Sequence, residues 1–322
     1  MIRVAIAWMA LLQCSFALAQ PRDEAAALLD SIYHATRRLN YSGVFVYQNG
    51  AHTETARIVH RVDGSNIQER IEILDGTPRE VVRINDEVRC YSPGTMSVRV
   101  EKNVGDRSLL PILPGGTKGL ADHYRIRIAG TDRVAGNECQ VLMLEPKDGL
   151  RYGHKLWIDA ASKMVLKAQT FDAAQTMMEG FRFTQIEIGG AIAPDRLRSR
   201  YAAVSREWRV EEMNMVAVQS ANSVWALNRP PPGFQRLAEL KRRFRSAAEV
   251  SQIVLSDGLS AVSVFIEPAE GRSVAPPLGA SRQGAIHTFT RRLDNHLITA
   301  VGDAPAECVQ TIANGVTFRG SQ

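Results

Sequence analysis

The sequence predicts an α+β chain that is mainly β, with a larger N-terminal domain and a smaller C-terminal one. Three observations carry this. From Leu39 to Tyr91, runs rich in Val, Ile, Phe and Tyr are broken by Gln48-Asn49-Gly50, Asp63-Gly64-Ser65-Asn66, Asp75-Gly76-Thr77-Pro78 and Asn85-Asp86. Each break holds residues that favour tight turns, so the stretch reads as an antiparallel meander. One amphipathic helix precedes it. A second set of strand-like runs follows Pro232 and ends in one helix, which reads as a small sheet covered on one face.

The elements follow in order. Arg3, the apolar run Val4 to Leu12 and the small residues of Ala17-Leu18-Ala19 have the layout of a signal peptide over residues 1–19, cleaved after Ala19. No later stretch is long and apolar enough to span a bilayer, so the mature chain is expected to be exported and not membrane-spanning. Asp23 to Leu39 reads as a helix, with Asp23 as N-cap, Leu28, Leu29, Ile32, Thr36 and Leu39 on one stripe, and Arg37 and Arg38 in the last turn. After the meander, a strand is expected near Ser97 to Val100. Residues 105–121, with their Pro and Gly, are expected to form a loop. Strand patterns return at Tyr124–Ile128, Glu138–Leu144, Lys155–Ile158, Met164–Phe171 and Phe181–Ile188. Met177, Met178, Phe181 and Phe183 lie close together, as core filler or as the lining of an adaptable apolar pocket.

The first domain is placed at residues 22–204 and a linker at 205–232, in which Trp208 to Val218 is strand-like and Arg229-Pro230-Pro231-Pro232-Gly233 is the stiffest break. The second domain, 233–322, has strand patterns at Phe234–Leu240, Val250–Leu255, Ser260–Ile266, Gly284–Arg291 and Leu297–Val301. Asp303 is expected to cap the last helix, with Pro305 in its first turn and Ala306, Val309, Ile312 and Ala313 facing the sheet. Asn314-Gly315 would end it.

The net charge of +5, with 34 acidic residues interspersed, is too mild for a nucleic-acid binder. Only seven of the 39 basic residues are lysine. Arginine pairs bidentately with phosphate and carboxylate, although a codon bias gives the same composition. The densest positive run is Lys241-Arg242-Arg243-Phe244-Arg245, either an anion or partner site or a charged edge strand that resists mispairing. Cys14 leaves with the signal, and Cys90, Cys139 and Cys308 remain. A Cys90–Cys139 bridge would close a loop of about 49 residues and stabilise by about 4 kcal/mol, with three buried thiols as the alternative. No catalytic motif, metal-ligand spacing or cofactor signature stands out among the histidines, acids and glycines, which favours a binding protein over an enzyme.

Four stretches resemble the RseB/MucB family of periplasmic regulators of sigma-E. They are Tyr41-Ser42-Gly43-Val44-Phe45-Val46-Tyr47, Gln68 to Ile71 with Leu74 to Val81, Ser256 to Phe265, and Thr299 to Pro305. The resemblance implies an N-terminal domain similar to the lipoprotein carriers LolA and LolB, an unclosed β-barrel with helices on its concave side. It implies a C-terminal domain that binds the periplasmic part of an inner-membrane anti-sigma factor and shields it from regulated proteolysis. It further implies displacement by lipopolysaccharide through lipid A, and no enzymatic activity.

On this footing Phe45 and Tyr47 on the first strand, and Phe181 and Phe183 on the last, are candidate lipid contacts, whichever face looks inward. Arg242, Arg243 and Arg245 are candidate partner contacts. No cofactor or metal is expected, and the oligomeric state, a homo-oligomer included, stays open. A periplasmic lipid or lipoprotein carrier is the competing reading, and a hydrolase without a recognisable motif is a third.

Overall fold

The computed structural model of the 322-residue chain describes residues 21–102, 113, 116–219, 222–243, 249–269 and 277–319. The expected signal peptide and most of the expected loop at 105–121 lie outside these. Among the described residues, no helix is long and apolar enough to cross a membrane.

The chain opens with α1 (Pro21–Arg38), then β1 (Tyr41–Asn49), β2 (His52–Asp63), β3 (Asn66–Ile73), β4 (Glu80–Ile84), β5 (Glu87–Ser92) and β6 (Ser97–Lys102). There follow α2 (Leu120–His123), β7 (Tyr124–Val134), β8 (Asn137–Pro146), β9 (Gly153–Asp159), β10 (Val165–Phe171) and β11 (Met177–Ile188). Beyond residue 200 come β12 (Arg209–Ala217), β13 (Trp225–Leu227), β14 (Gln235–Arg243), β15 (Val250–Ser256) and β16 (Ala261–Pro268). The chain continues with β17 (Gly279–Gln283), β18 (Ile286–Leu293), β19 (His296–Gly302), α3 (Ala306–Gly315) and β20 (Val316–Phe318).

The meander forms as expected: β1 to β6 pair in sequence order, each antiparallel to the next. β11 returns alongside β1 and is followed outward by β10, β9, β8 and β7. Among the described residues β7 pairs with β8 alone, so this curved sheet does not close on itself. Its concave side takes α1, which buries Ala25, Leu28, Leu29 and Ile32 against Leu142, Leu144, Leu156 and Ile158. Ile32 is fully buried there, and its truncation to Ala costs on the order of 2–5 kcal/mol. In the smaller domain, Cys308, Val309, Ile312 and Ala313 of α3 pack on Val262, Val264 and Ile266 of β16 and on Ile298 and Ala300 of β19. Strand alternation leaves Ala261, Ser263 and Phe265 on the face of that sheet away from α3.

The structure departs from the sequence reading at three points. The segment expected as a linker carries β12, which runs parallel to β6 and antiparallel to β14. The two domains thereby share one continuous 18-stranded sheet. The strand-like run at Trp208 to Val218 does form, but within the sheet and not in a free connector, because its backbone pairs on both edges.

Second, Cys90, Cys139 and Cys308 are all free thiols, and the expected Cys90–Cys139 bridge is absent. Loop length was the wrong guide. Cys90 lies opposite Val81 and Arg99, and Cys139 opposite Asp132 and Asp159. Seven strands separate β5 from β8 across the sheet. Third, α3 starts at Ala306 with Pro305 as its N-cap residue and no side-chain cap. Asp303 instead turns its Oδ1 to the Ala261 N–H at 2.6 Å.

Candidate functional site

Three neighbouring strands of the half-barrel build one wall of a cavity. Cross-strand pairing places Leu156 opposite Ala168 and Ala168 opposite Phe181, an apolar row across β9, β10 and β11. One pleat repeat away, His154 lies opposite Thr170 and Thr170 opposite Glu179, a polar row on the same face. β1 adds Tyr47, which lies opposite Phe181. The other wall is the face of the C-terminal sheet that α3 leaves uncovered: Ala261, Ser263 and Phe265 of β16, Ile286 of β18 and Val301 of β19, with Leu259 and Asp303 at its edge. The walls enclose about 530 Å³, within the range of small-molecule sites of about 300–1,000 Å³. Most of the lining is aliphatic or aromatic, and the polar groups gather in the row of His154, Thr170 and Glu179 and at Asp303.

Buried polar contacts hold the two walls in register. Arg151 Nη1 meets Asp257 Oδ2 at 3.0 Å with both side chains withdrawn from solvent. The Tyr124 hydroxyl donates to the same oxygen at 2.9 Å, and Arg151 also donates to Asp148 Oδ1 and to the Pro232 carbonyl. Asp257 Oδ1 accepts the backbone N–H groups of Leu259 and Ser260. Both ions are thus fully hydrogen-bonded, as a buried pair requires. On the other side of the cavity the Ala285 N–H donates to Asn49 Oδ1 at 3.0 Å. Gly284, with φ of +59°, brings its backbone against Asn49 where a Cβ would collide.

Burial sets the protonation of the cavity groups. Asp303 is pushed up to about 7, mainly by burial; the Ala261 N–H opposes this, and the charge of Glu179 adds to it. Glu179 is raised by burial and held back by the Tyr47 hydroxyl, which donates to its Oε2 at 3.1 Å. Burial lowers His154 to about 4, so its imidazole is neutral at pH 7. Tyr47 rises to about 12, first through burial and then through Glu179.

The four aromatic candidates come together but do not share one role. Phe45, Phe181 and Phe183 pack edge-to-face, with ring centres 5.8 to 6.5 Å apart. Tyr47 and Phe181 line the cavity. Phe45 and Phe183 are buried in the core behind it, with Trp157, Met164 and Leu166. Pairing is regular from Phe45–Phe183 to Tyr47–Phe181, so the four share one face of the sheet and the split follows position along the strands. Arg242 and Arg243 fall on β14, an interior strand between β12 and β15 rather than an edge. Their side chains, and Arg245 altogether, lie outside the described residues. Lys241, on the same strand, is ion-paired with Glu249 at 2.7 Å.

His154, Thr170, Glu179, Asp303 and the uncovered face of β16 and β19 were not singled out by sequence. A period-2 alternation marks both faces of each strand, but nothing in one strand says which face will meet a second domain. Among the described residues no cluster of His, Cys, Asp and Glu could hold a metal ion.

Comparison with known proteins fits this two-domain arrangement. A profile of the MucB/RseB N-terminal domain matches residues 24–201, and one of the MucB/RseB C-terminal domain matches residues 219–317. The sigma factor AlgU regulatory protein MucB of Pseudomonas aeruginosa is 30% identical over 300 residues, covering 90% of each chain. The sigma-E factor regulatory protein RseB of Escherichia coli is 26% identical over 299 residues, covering 92% of this chain and 91% of the relative. The crystal structure of MucB in complex with MucA(peri) matches with a TM-score of 0.69 and 28% identity, over 92% of this chain and all of that one. These relatives are regulatory binding proteins, not enzymes. With both domains matched in order along one chain, the protein belongs to the MucB/RseB family.

Proposed function

We propose that this chain is a periplasmic negative regulator of a sigma-E-type envelope stress response. It binds the periplasmic segment of an inner-membrane anti-sigma factor, shields that segment from regulated proteolysis, and lets go when the lipid A part of lipopolysaccharide is bound. The observation that carries the reading is the apolar cavity of about 530 Å³ walled by both domains. An acyl chain entering it touches the half-barrel and the C-terminal sheet at once. A ligand shifts a conformational equilibrium only by its differential affinity for the two states. A cavity whose two walls belong to different domains supplies that difference directly. The crystal complex of the similar MucB with MucA(peri) supports the choice of partner. Arg242, Arg243 and Arg245 remain the proposed contacts to acidic residues of that partner, and the expected signal peptide supports the periplasm.

The test is retention of purified mature protein on the immobilised periplasmic segment of the cognate anti-sigma factor, with and without lipopolysaccharide. Retention that lipopolysaccharide abolishes is expected; failure to bind the segment removes the proposal. A lipid or lipoprotein carrier would use the same cavity. A transfer assay between two membrane vesicle populations separates the readings, because a regulator moves no cargo.

A further inference from the structure

The strands that wall the cavity have a second side. Leu156, Ala168 and Phe181 look inward, so the residues that alternate with them on β9, β10 and β11 point out of the half-barrel. Cross-strand pairing sets these in two rows. One runs Trp157, Lys167, Arg182 and Val46, and the next runs Lys155, Gln169, Gly180 and Gln48. Lys167 thus stands directly opposite Arg182 on strands about 4.8 Å apart, a position in which like charges disfavour pairing. The Trp157 ring is roofed by two lysines, with Lys155 Nζ 4.7 Å and Lys167 Nζ 3.8 Å from its centre. The surface is open: Arg182 and Gln48 are exposed, and Lys155, Lys167, Gln169 and Met177 are half-buried.

None of Lys155, Lys167 and Arg182 forms an ion pair among the described residues. Exposed arginines elsewhere on the half-barrel are matched: Arg57 with Glu72, Arg79 with Glu54, Arg89 with Glu87 and Arg127 with Glu145. Burial holds the Lys167 ammonium below its ordinary value; the charge of Asp132 opposes this, and those of Lys155 and Arg182 add to it. Asp132 itself is engaged by the Trp157 Nε1–H at 2.7 Å and the Arg133 N–H at 2.8 Å. Between the two rows lies a shallow cleft of about 230 Å³, lined by Val46, Gln48, Lys167, Gln169, Met177 and Arg182.

We infer that this outer face of β9, β10 and β11 docks on an anionic phospholipid surface, with Lys155, Lys167 and Arg182 meeting headgroup phosphates. The inference goes beyond the regulatory reading and needs no lipid in the cavity. A folded acidic partner would call for an apolar centre with charges at the rim. Here the charges hold the centre, and Val46 and Met177 are the apolar side chains beside them. Mobile, hydrated anions that rearrange around three fixed cations fit this face better. Lysine is a hydrated point charge that sets no partner geometry, and two of the chain's seven lysines stand here. A phosphate beside Lys167 and Arg182 also relieves the repulsion between their strands. Docking leaves the cavity side of the same strands free.

Co-sedimentation of the mature protein with vesicles of phosphatidylcholine, alone or mixed with phosphatidylglycerol, tests this. Binding is expected to the mixed vesicles only, and to fade at high salt. Lys155→Gln, Lys167→Gln and Arg182→Gln, checked for native circular dichroism, should each weaken it about fivefold, and the triple variant about a hundredfold. A control with Arg198→Gln, Arg206→Gln and Arg292→Gln removes the same charge from other exposed sites and should still bind. Val301→Trp, which fills the cavity, should bind as wild type does. No binding of wild type to the mixed vesicles, or equal binding to neutral ones, overturns the inference without touching the regulatory reading. Equal loss in the triple variant and the control also overturns it, since net charge alone would then explain the attraction. A triple variant that loses the anti-sigma segment while wild type ignores vesicles would give the face to that partner and overturn the membrane reading.

Discussion

Arg151 and Asp257 come from different domains and meet at 3.0 Å, with both side chains fully buried and every polar atom of the pair engaged. Deleting one partner strands the other charge in a dry seam. Asp257→Ala is expected to cost about 3–5 kcal/mol, the usual price of an uncompensated buried ion. Urea unfolding at pH 7 measures it. A loss below about 1 kcal/mol would mean that the seam opens and hydrates Arg151 without resistance.

Asp303 gives the fold a pH dependence of defined sign. Its carboxyl binds a proton more tightly in the folded chain, at about 7, than its ordinary value of 3.8. Between those values the folded state holds more protons than the unfolded one, so this group's contribution is full below about pH 4 and declines as pH rises through 7. Asp303→Asn keeps an oxygen for the Ala261 N–H and removes the titration. The variant should gain stability relative to wild type, by a few kcal/mol, on going from pH 5 to pH 8. Parallel urea midpoints for the two proteins across that range would contradict the assignment.

Filling the cavity should uncouple lipid from partner. Val301 faces it from β19 and is half-buried. Val301→Trp occupies part of the 530 Å³ without touching the α3 core. Amphiphile affinity is expected to fall about tenfold or more, while anti-sigma binding persists and loses its sensitivity to lipopolysaccharide. Competition with a fluorescent fatty-acid probe reads the first effect.

The three thiols differ in access. Burial raises Cys139 to about 11 and Cys308 to about 12, whereas Cys90 is half-buried on β5. Only thiolate is readily alkylated. Brief iodoacetamide treatment of native protein at pH 8, followed by mass spectrometry, should modify Cys90 first and spare the other two until denaturant is added. A linked Cys90–Cys139 peptide in the unreduced digest would contradict the strand order.

Local signals in the sequence were strong enough to read most of the architecture. Gln48-Asn49-Gly50 and Asp63-Gly64 mark real turns between β1, β2 and β3, and the stripe Leu28, Leu29 and Ile32 is the buried face of α1. The positions that matter for the site were less legible. Phe45 and Phe183 read as well as Tyr47 and Phe181 on alternation alone, because all four share one face and only position along the strands separates the pair that lines the cavity. Asp303 read as a helix cap because it stands three residues before Ala306, yet a strand-end N–H outcompetes the helix for it. Trp208 to Val218 read as strand-like, and β12 forms there, but nothing in its composition marks the parallel pairing with β6 that joins it to the first domain's sheet.

The most direct measurement is fluorescence anisotropy of a labelled anti-sigma periplasmic segment bound to the mature protein, titrated with lipid A, in wild type and Val301→Trp. Stepwise release from wild type, with the segment retained by Val301→Trp at the same lipid A concentrations, is expected if the interdomain cavity is the trigger. Equal release from both proteins would place the lipid elsewhere and contradict the coupling of cavity to partner.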